Sequence, residues 1–256
     1  MQTLRHRQIL AKARETERVT VDGLAEHFGV TLQTIRRDLT ELAEAGFLER
    51  VHGGAVLPSG LVNIRYEARR ALNEAAKRSI AQTAARRVPN GSALFLNIGT
   101  TTEAVARALV HHQGLLVVTN NMNVARILSA NPDCELVLSG GRMRSEDEGL
   151  VGAAAADMVA RYRFDMAIIG CSGLDPGGDV LDFDMDEATV TQAALSHARD
   201  SLLVCDHSKL ARRAPVRVTT VQSLGAVVTD APLPSALSGV CADADVEILV
   251  APSLQS

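Results

Sequence analysis

The spacing of Ala25, Gly29 and Ile35 constrains this chain most. A helix-turn-helix needs this arrangement: a small residue where two helices cross, a glycine for the turn, and a β-branched residue packing back. Thr20 can cap the first of the two helices, VDGLAEHF, whose inward residues are Leu24, Ala25 and Phe28. The second is TLQTIRRDLTELAEAG (31–46), with Thr31 as N-cap and Gly46 as its stop. Ile35, Leu39 and Leu42 recur at spacings of four and three and share one face. Gln33, Thr34 and Arg37 are left to point outward. Taken alone, this stretch is an ordinary surface helix with Arg37 and Glu41 as an i,i+4 pair. After a partner helix and a glycine turn, it is a helix for a DNA major groove.

The flanks extend that reading. Residues 4–16 predict an earlier helix with Ile9, Leu10 and Ala13 inward. FLERV (47–51), HGG (52–54) and AVL (55–57) predict two short strands around a glycine turn, hence a winged domain over residues 1–57. Arg50 or His52 can then meet a phosphate or the minor groove. The domain is formally neutral. Arg5, Arg7, Lys12, Arg14, Arg18, Arg36, Arg37 and Arg50 balance Glu15, Glu17, Asp22, Glu26, Asp38, Glu41, Glu44 and Glu49. Arg36 and Arg37 lie near the positive end of their helix, where phosphates and base acceptors are favoured, and the anions cluster later. Modest affinity per domain follows, made adequate by oligomerisation on repeated half-sites.

Pro58-Ser59-Gly60 opens a linker, taken as 58–73. The run from Arg65 to Arg87 is rich in cations and has helical periodicity through Ala76, Ile80, Ala84 and Val88. It is either a basic arm for DNA flanks or a partner subunit, or the solvated face of the helix that starts the next domain. The second is the simpler reading.

Residues 74–256 alternate apolar runs with helical patterns. ALFLN (93–97), LLVVT (115–119), ELVLS (135–139), MAIIG (166–170), LLVC (202–205), AVVT (226–229) and EILVA (247–251) are expected strands. Residues 102–112, 123–130, 151–161 and 186–198 are expected helices. Near-continuous apolar strands separated by helices imply a Rossmann-like, mostly parallel α/β sheet covered on both faces. Its ligand site lies outside the carboxyl ends of the strands. There the chain places Gly99-Thr100-Thr101-Thr102, Asn120-Asn121, Gly140-Gly141-Arg142, an acidic loop with Asp184 and Glu187, and Asp206-His207-Ser208-Lys209. Any one of these also serves as plain caps, turns or a local ion pair. Five in sequence point to a small phosphorylated polyol, its phosphate on backbone donors and Lys209 and its hydroxyls on carboxylates or Asn. Glu146, Asp147 and Glu148 would weaken an anion site, so they are expected to face solvent.

Composition narrows the function classes. No Trp, five Phe and two Tyr leave little for base stacking, and a net charge of −4 argues against indiscriminate coating of nucleic acid. The four Cys and seven His show no metal spacing. That spacing leaves no metal expected, and the absence of GxGxxG and GxxxxGK[ST] makes NAD and ATP poor guesses, so no cofactor is expected either; no residue is assigned a catalytic role. No stretch approaches the roughly 20 apolar residues of a membrane helix, and the N-terminus lacks an apolar signal core, so a cytoplasmic location is expected.

VTVDGLAEHFGVTLQTIRRDLTELAEAGFLERVHGGA resembles the N-terminal domain of the DeoR family of bacterial transcriptional regulators. IGTTT, TNN, GG, the glutamate-led helix and DHSK resemble that family's sensor domain, which is similar in fold to sugar-phosphate isomerases. The resemblance implies a repressor of double-stranded operator DNA acting as a homo-oligomer, dimer or tetramer. Gln33, Thr34, Arg36 and Arg37 would belong to the recognition helix, with Gln33, Thr34 and Arg37 on bases and Arg36 on a phosphate. LDFDMDEATV, VCDHSK and VTDAPLP resemble the branch of the family that senses glycerol 3-phosphate, so that ligand, releasing the repressor from DNA, is the implied effector. A repressor of another sugar phosphate is the alternative. A sugar-phosphate isomerase, with Glu187 or Asp186 as base and Lys209 as electrostatic partner, has no need of a winged domain.

Overall fold

The computed structural model describes residues 4–16, 18–44, 47–56, 66–210 and 212–253. Gly46, Leu57, the Pro58-Ser59-Gly60 break and Arg65 lie outside them. The chain divides into two compact units, Met1–Leu72 and Asn73–Ser256.

The first unit contains α1 (Leu4–Thr16), β1 (Arg18–Thr20), α2 (Val21–Phe28), α3 (Leu32–Glu44), β2 (Glu49–Val51), β3 (Gly54–Val56) and α4 (Tyr66–Ala71). Thr20 caps α2 by accepting from the Gly23 N–H at 3.1 Å. Gly29, at φ 63°, ends α2 in the left-handed region that a side chain rarely adopts. The Thr31 hydroxyl accepts from the Thr34 N–H at 3.2 Å and starts α3. Ile9, Leu10, Ala13, Leu24, Ala25, Ile35, Leu39 and Leu42 converge in one core with Phe47 and Leu48. The wing differs from expectation. It is a three-stranded antiparallel sheet in the order β1-β3-β2, because Arg18–Thr20 pairs with Gly54–Val56. That pairing explains the second glycine of HGG: a Cβ at Gly54 would lie 2.0 Å from the Val19 carbonyl oxygen.

The second unit runs α5 (Glu74–Ala85), β4 (Ala93–Leu96), α6 (Thr100–Ala108), β5 (Leu115–Thr119), α7 (Met122–Leu128) and β6 (Cys134–Leu138). It continues through β7 (Arg142–Arg144), β8 (Gly149–Val151), α8 (Ala153–Val159), β9 (Phe164–Ile169), β10 (Gly173–Leu174), β11 (Asp179–Asp182) and α9 (Met185–Leu195). It closes with β12 (Ala198–Val204), β13 (Val216–Thr220), β14 (Ala226–Thr229), α10 (Ser235–Asp243) and β15 (Glu247–Val250). The seven expected strands form one parallel sheet in the order β15-β14-β12-β9-β4-β5-β6. The strand order therefore reverses between β4 and β9, the doubly wound arrangement whose crevice takes ligands. Alternate residues feed opposite faces. Leu94 and Leu96 pack with α5, α6 and α7, whereas Phe95 packs with α8 and α9. Burying each such side chain contributes about 1.5–3 kcal/mol.

Several features depart from the sequence reading, among them α10, where no helix is expected. The helix expected over 186–198 stops at Leu195, and the chain enters β12 at Ala198, four residues before the apolar run LLVC. Residues 142–151 form an antiparallel hairpin, β7 with β8. A second antiparallel sheet, β10-β11-β13, precedes and follows α9. Among the described residues no helix is long and apolar enough to cross a membrane.

Candidate DNA interface and effector site

Thr31, Gln33, Arg36 and Arg37 are exposed at the start of α3, and Thr34 is half-buried. Arg37 is 83% exposed, and its Nε donates to Glu41 at 2.9 Å, so the i,i+4 pair exists and the remaining guanidinium N–H groups face outward. Leu32, exposed on the same turn, offers an apolar contact that the sequence reading passed over; a thymine methyl is a partner for such a group. His52 is exposed at the wing turn. Arg50 braces the wing instead of extending freely from it: its Nη1 donates to the Arg36 carbonyl at 3.2 Å. Asp38 departs from the anionic cluster in which the charge count placed it. It is buried, takes two bonds from Arg5 at 2.5 and 3.0 Å, and lies 3.2 Å from His6 Nε2. Burial alone would raise its pKa, but Arg5 and His6 outweigh burial and hold it below the ordinary carboxylate range. This anion ties α1 to α3 and leaves the outward face of α3 less acidic than its sequence.

In the second unit, the switch point is bridged by Asn97. Its Nδ2 donates to the Gly170 carbonyl at 3.2 Å and its Oδ1 accepts from the Gly170 N–H at 2.8 Å. Gly99 then precedes the first turn of α6, with Thr101 buried. The Thr102 hydroxyl is engaged within its own loop, where it lies 2.8 Å from the Asn97 and Gly99 carbonyls. On the neighbouring strand, Asn120 and Asn121 are both 0% exposed. Asn120 Nδ2 donates to the Leu150 carbonyl at 3.1 Å, and Asn121 Oδ1 caps α7. The other atom of each amide, Asn120 Oδ1 and Asn121 Nδ2, has no hydrogen-bond partner.

The β7–β8 hairpin is joined to this loop by Leu150 N–H to Asn120 O at 2.7 Å and by Met122 N–H to Glu148 O at 3.2 Å. Gly140 and Gly141 lead into it at φ 67° and 104°. Arg142 and Arg144 share one face of β7, two residues apart, and both meet the start of α9, but at different depths. Arg142 is 64% exposed and pairs with Asp186 at 2.8 Å on the rim. Arg144 is 17% exposed and takes the inward place expected for Arg142. It pairs with Asp147 and Asp184, each at 2.8 Å, and with Glu187. Asp147 is buried by that contact and does not face solvent as expected; Glu146 is exposed, and Glu148 pairs with Arg126 at 3.0 Å. Arg144 is a candidate that the sequence reading does not include; the period-2 pairing of two arginines is its only sequence signal.

Asp184 caps α9 through the Asp186 and Glu187 N–H groups. Its burial is outweighed by those bonds and by Arg144, so it titrates below the ordinary range. Glu187 goes the other way. Burial first, then the charges of Asp182 and Asp147, push its carboxyl up to about 8 against the pull of Arg144. Across the switch point, Asp206 is buried and caps the short 3-10 turn His207–Lys209. Lys209 and hydrogen bonds from Ser208 and Asn73 overcome its burial and keep it ionised. Cys171 and Cys205 meet at the ends of β9 and β12, where their contact and burial push the Cys205 thiol well up. The described residues contain no metal-binding group of three or more His, Cys, Asp or Glu.

A winged helix-turn-helix unit followed by a doubly wound unit with buried polar groups at its strand ends defines a class: DNA-binding regulators with a ligand sensor. A model of the DeoR-like helix-turn-helix domain matches residues 5–60, and one of the DeoR C terminal sensor domain matches residues 72–231. The chain belongs to the DeoR family. It is 43% identical over 247 residues to the glycerol-3-phosphate regulon repressor of Escherichia coli (strain K12), covering 96% of this chain and 98% of that protein. It is 39% identical to the HTH-type transcriptional repressor CsqR of the same organism, over 96% of this chain and 94% of that protein. Among solved structures, ribose 5-phosphate isomerase A from Methanocaldococcus jannaschii is similar at a TM-score of 0.41 and 16% identity, covering 54% of this chain and 55% of that one.

Proposed function

We propose that this chain is a cytoplasmic transcriptional repressor. Its winged unit binds operator half-sites as a homo-oligomer, and its α/β unit binds glycerol 3-phosphate, which releases the DNA. In this reading Gln33, Thr34 and Arg37 read base edges, Thr31, Arg36 and His52 hold phosphates, and Arg50 supports them by bracing the wing against the Arg36 carbonyl. The effector's phosphate lies at the start of α6, on the backbone N–H groups of Gly99–Thr101, the Thr101 hydroxyl and near Lys209, where the helix dipole favours an anion. Its hydroxyls meet Asn120 and Asn121.

The unpaired amide atoms of Asn120 and Asn121 carry the sensor half of this reading. A buried polar group left unpaired costs about 1–3 kcal/mol. Here an acceptor and a donor are unpaired on consecutive residues beside a helix start. A vicinal hydroxyl pair satisfies both, and a triose-sized phosphate ester brings the anion with it. The relatives named as glycerol-3-phosphate regulon repressors, at 43% and 42% identity, support this ligand over other sugar phosphates.

The test is a thermal-shift panel of glycerol 3-phosphate, fructose 1-phosphate, ribose 5-phosphate and inorganic phosphate. At about 100 times its dissociation constant the true effector should stabilise by roughly 2.7 kcal/mol. Thr101→Val should weaken that response and leave operator binding without effector intact. A flat panel overturns the sensor role.

A further inference from the structure

Asn73 is the first residue of the second unit. It stands at the N-cap of α5, where an asparagine ordinarily adopts extended backbone and caps its own helix. Here it does neither. Its φ is 52°, in the left-handed region, and its side chain makes no capping bond. Its Nδ2 instead donates to Asp206 Oδ1 at 2.8 Å. The same oxygen accepts from the Ser208 N–H at 3.0 Å and so caps the turn that carries Lys209. Asp206 is 1% exposed, so water has little access to replace either bond.

One carboxylate oxygen therefore holds both the Lys209 turn and the entry to the second unit. We propose that Asn73 is a positioning residue, acting through Asp206, that couples occupancy of the strand-end site to the DNA-binding unit. This rests on the effector reading above. Asn73 has two stereochemically ordinary states. In one, seen here, it is left-handed and bonded to Asp206. In the other it is extended and caps α5 itself. A ligand that draws Lys209 toward its phosphate shifts the turn and the shared oxygen. Loss of the Asn73 bond then favours the self-capped state and redirects the chain immediately before Asn73. Such a two-state element is what ligand-driven coupling requires.

Asn73→Gly separates the link from the fold, because glycine keeps the left-handed backbone and removes only the side chain. Full-length protein should bind operator without effector within about two-fold of wild type, and glycerol 3-phosphate should still raise its Tm. The release ratio, operator Kd with effector over operator Kd without, should fall from a range of about 5–150 in wild type to near one. Asn73→Asp repels Asp206 and caps α5, so it should weaken operator binding before any effector is added. Release of Asn73→Gly equal to wild type overturns the role, as does loss of its effector binding. If Asn73→Gly does not fold, an Asn73→Asp protein that binds and releases operator like wild type overturns it equally. If wild type itself shows no binding of glycerol 3-phosphate, the effector reading fails first and this inference with it.

Discussion

At Glu187, burial above all, together with two neighbouring acids, outweighs one arginine. The carboxyl ordinarily titrates near 4.5 and here titrates at about 8. Between those values the folded chain keeps a proton that the unfolded chain releases, so stability is full below about 4.5 and declines as pH rises through about 8. Glu187→Gln, which mimics the protonated acid, should flatten the fall in Tm between about pH 5.5 and 8.5. An unchanged profile would show that the proton resides elsewhere in the cluster. Arg37 presents a different balance, since its contact with Glu41 is exposed and of little energetic weight. Arg37→Ala should cost about 1–3 kcal/mol in operator binding and relax selectivity at one base position. Equal losses across operator variants would make it a phosphate contact instead.

Among the elements, the wing depends on one close approach. Gly54 lies against the Val19 carbonyl, so any Cβ there forces β1 and β3 apart. Gly54→Ala should destabilise the wing by about 1–3 kcal/mol or more and weaken operator binding. The effector-dependent Tm shift should persist, because the second unit has its own core. Loss of that shift too would mean that the two units do not fold separately. The glycines of HGGA were visible in the sequence, but the reason for Gly54 was not. A three-residue strand such as Arg18–Thr20 has no periodicity to detect, and its partner lies 36 residues away at Gly54–Val56 in a pairing that only folding reveals. The strands of the hairpin β7–β8 are equally short, three residues each, and carry no periodicity either, although their partners are close in sequence. RMRSEDEG reads as a charged loop until Arg144 is seen to turn inward and bury Asp147.

For the whole molecule, coupling between effector and operator is reciprocal by thermodynamic necessity. If glycerol 3-phosphate lowers operator affinity by some factor, saturating operator must lower glycerol 3-phosphate affinity by the same factor. Calorimetric titration of the effector with and without operator DNA checks this. Unequal factors would mean that a third equilibrium, such as a change in oligomeric state, is carrying part of the response.

The amino-acid sequence by itself determined what depends on local repetition. The stripe Ile35, Leu39 and Leu42 specified a helix face, and the capping Thr31 its start. Seven apolar runs specified the strands of a parallel sheet, since both faces of each must be buried. Tertiary structure alone decided which charges remain free. Asp38 was one of eight anions in residues 1–57 of the sequence and is a buried tie between helices in the fold. The sequence reading singled out Arg142, and depth in the fold gives the inward place to Arg144. Asn73 was an unremarked residue of a linker until its side chain reached an aspartate 133 residues away. Periodicity survives in one dimension. Desolvation and pairing of charges depend on distances between residues remote in the chain, and those exist only once the core has formed.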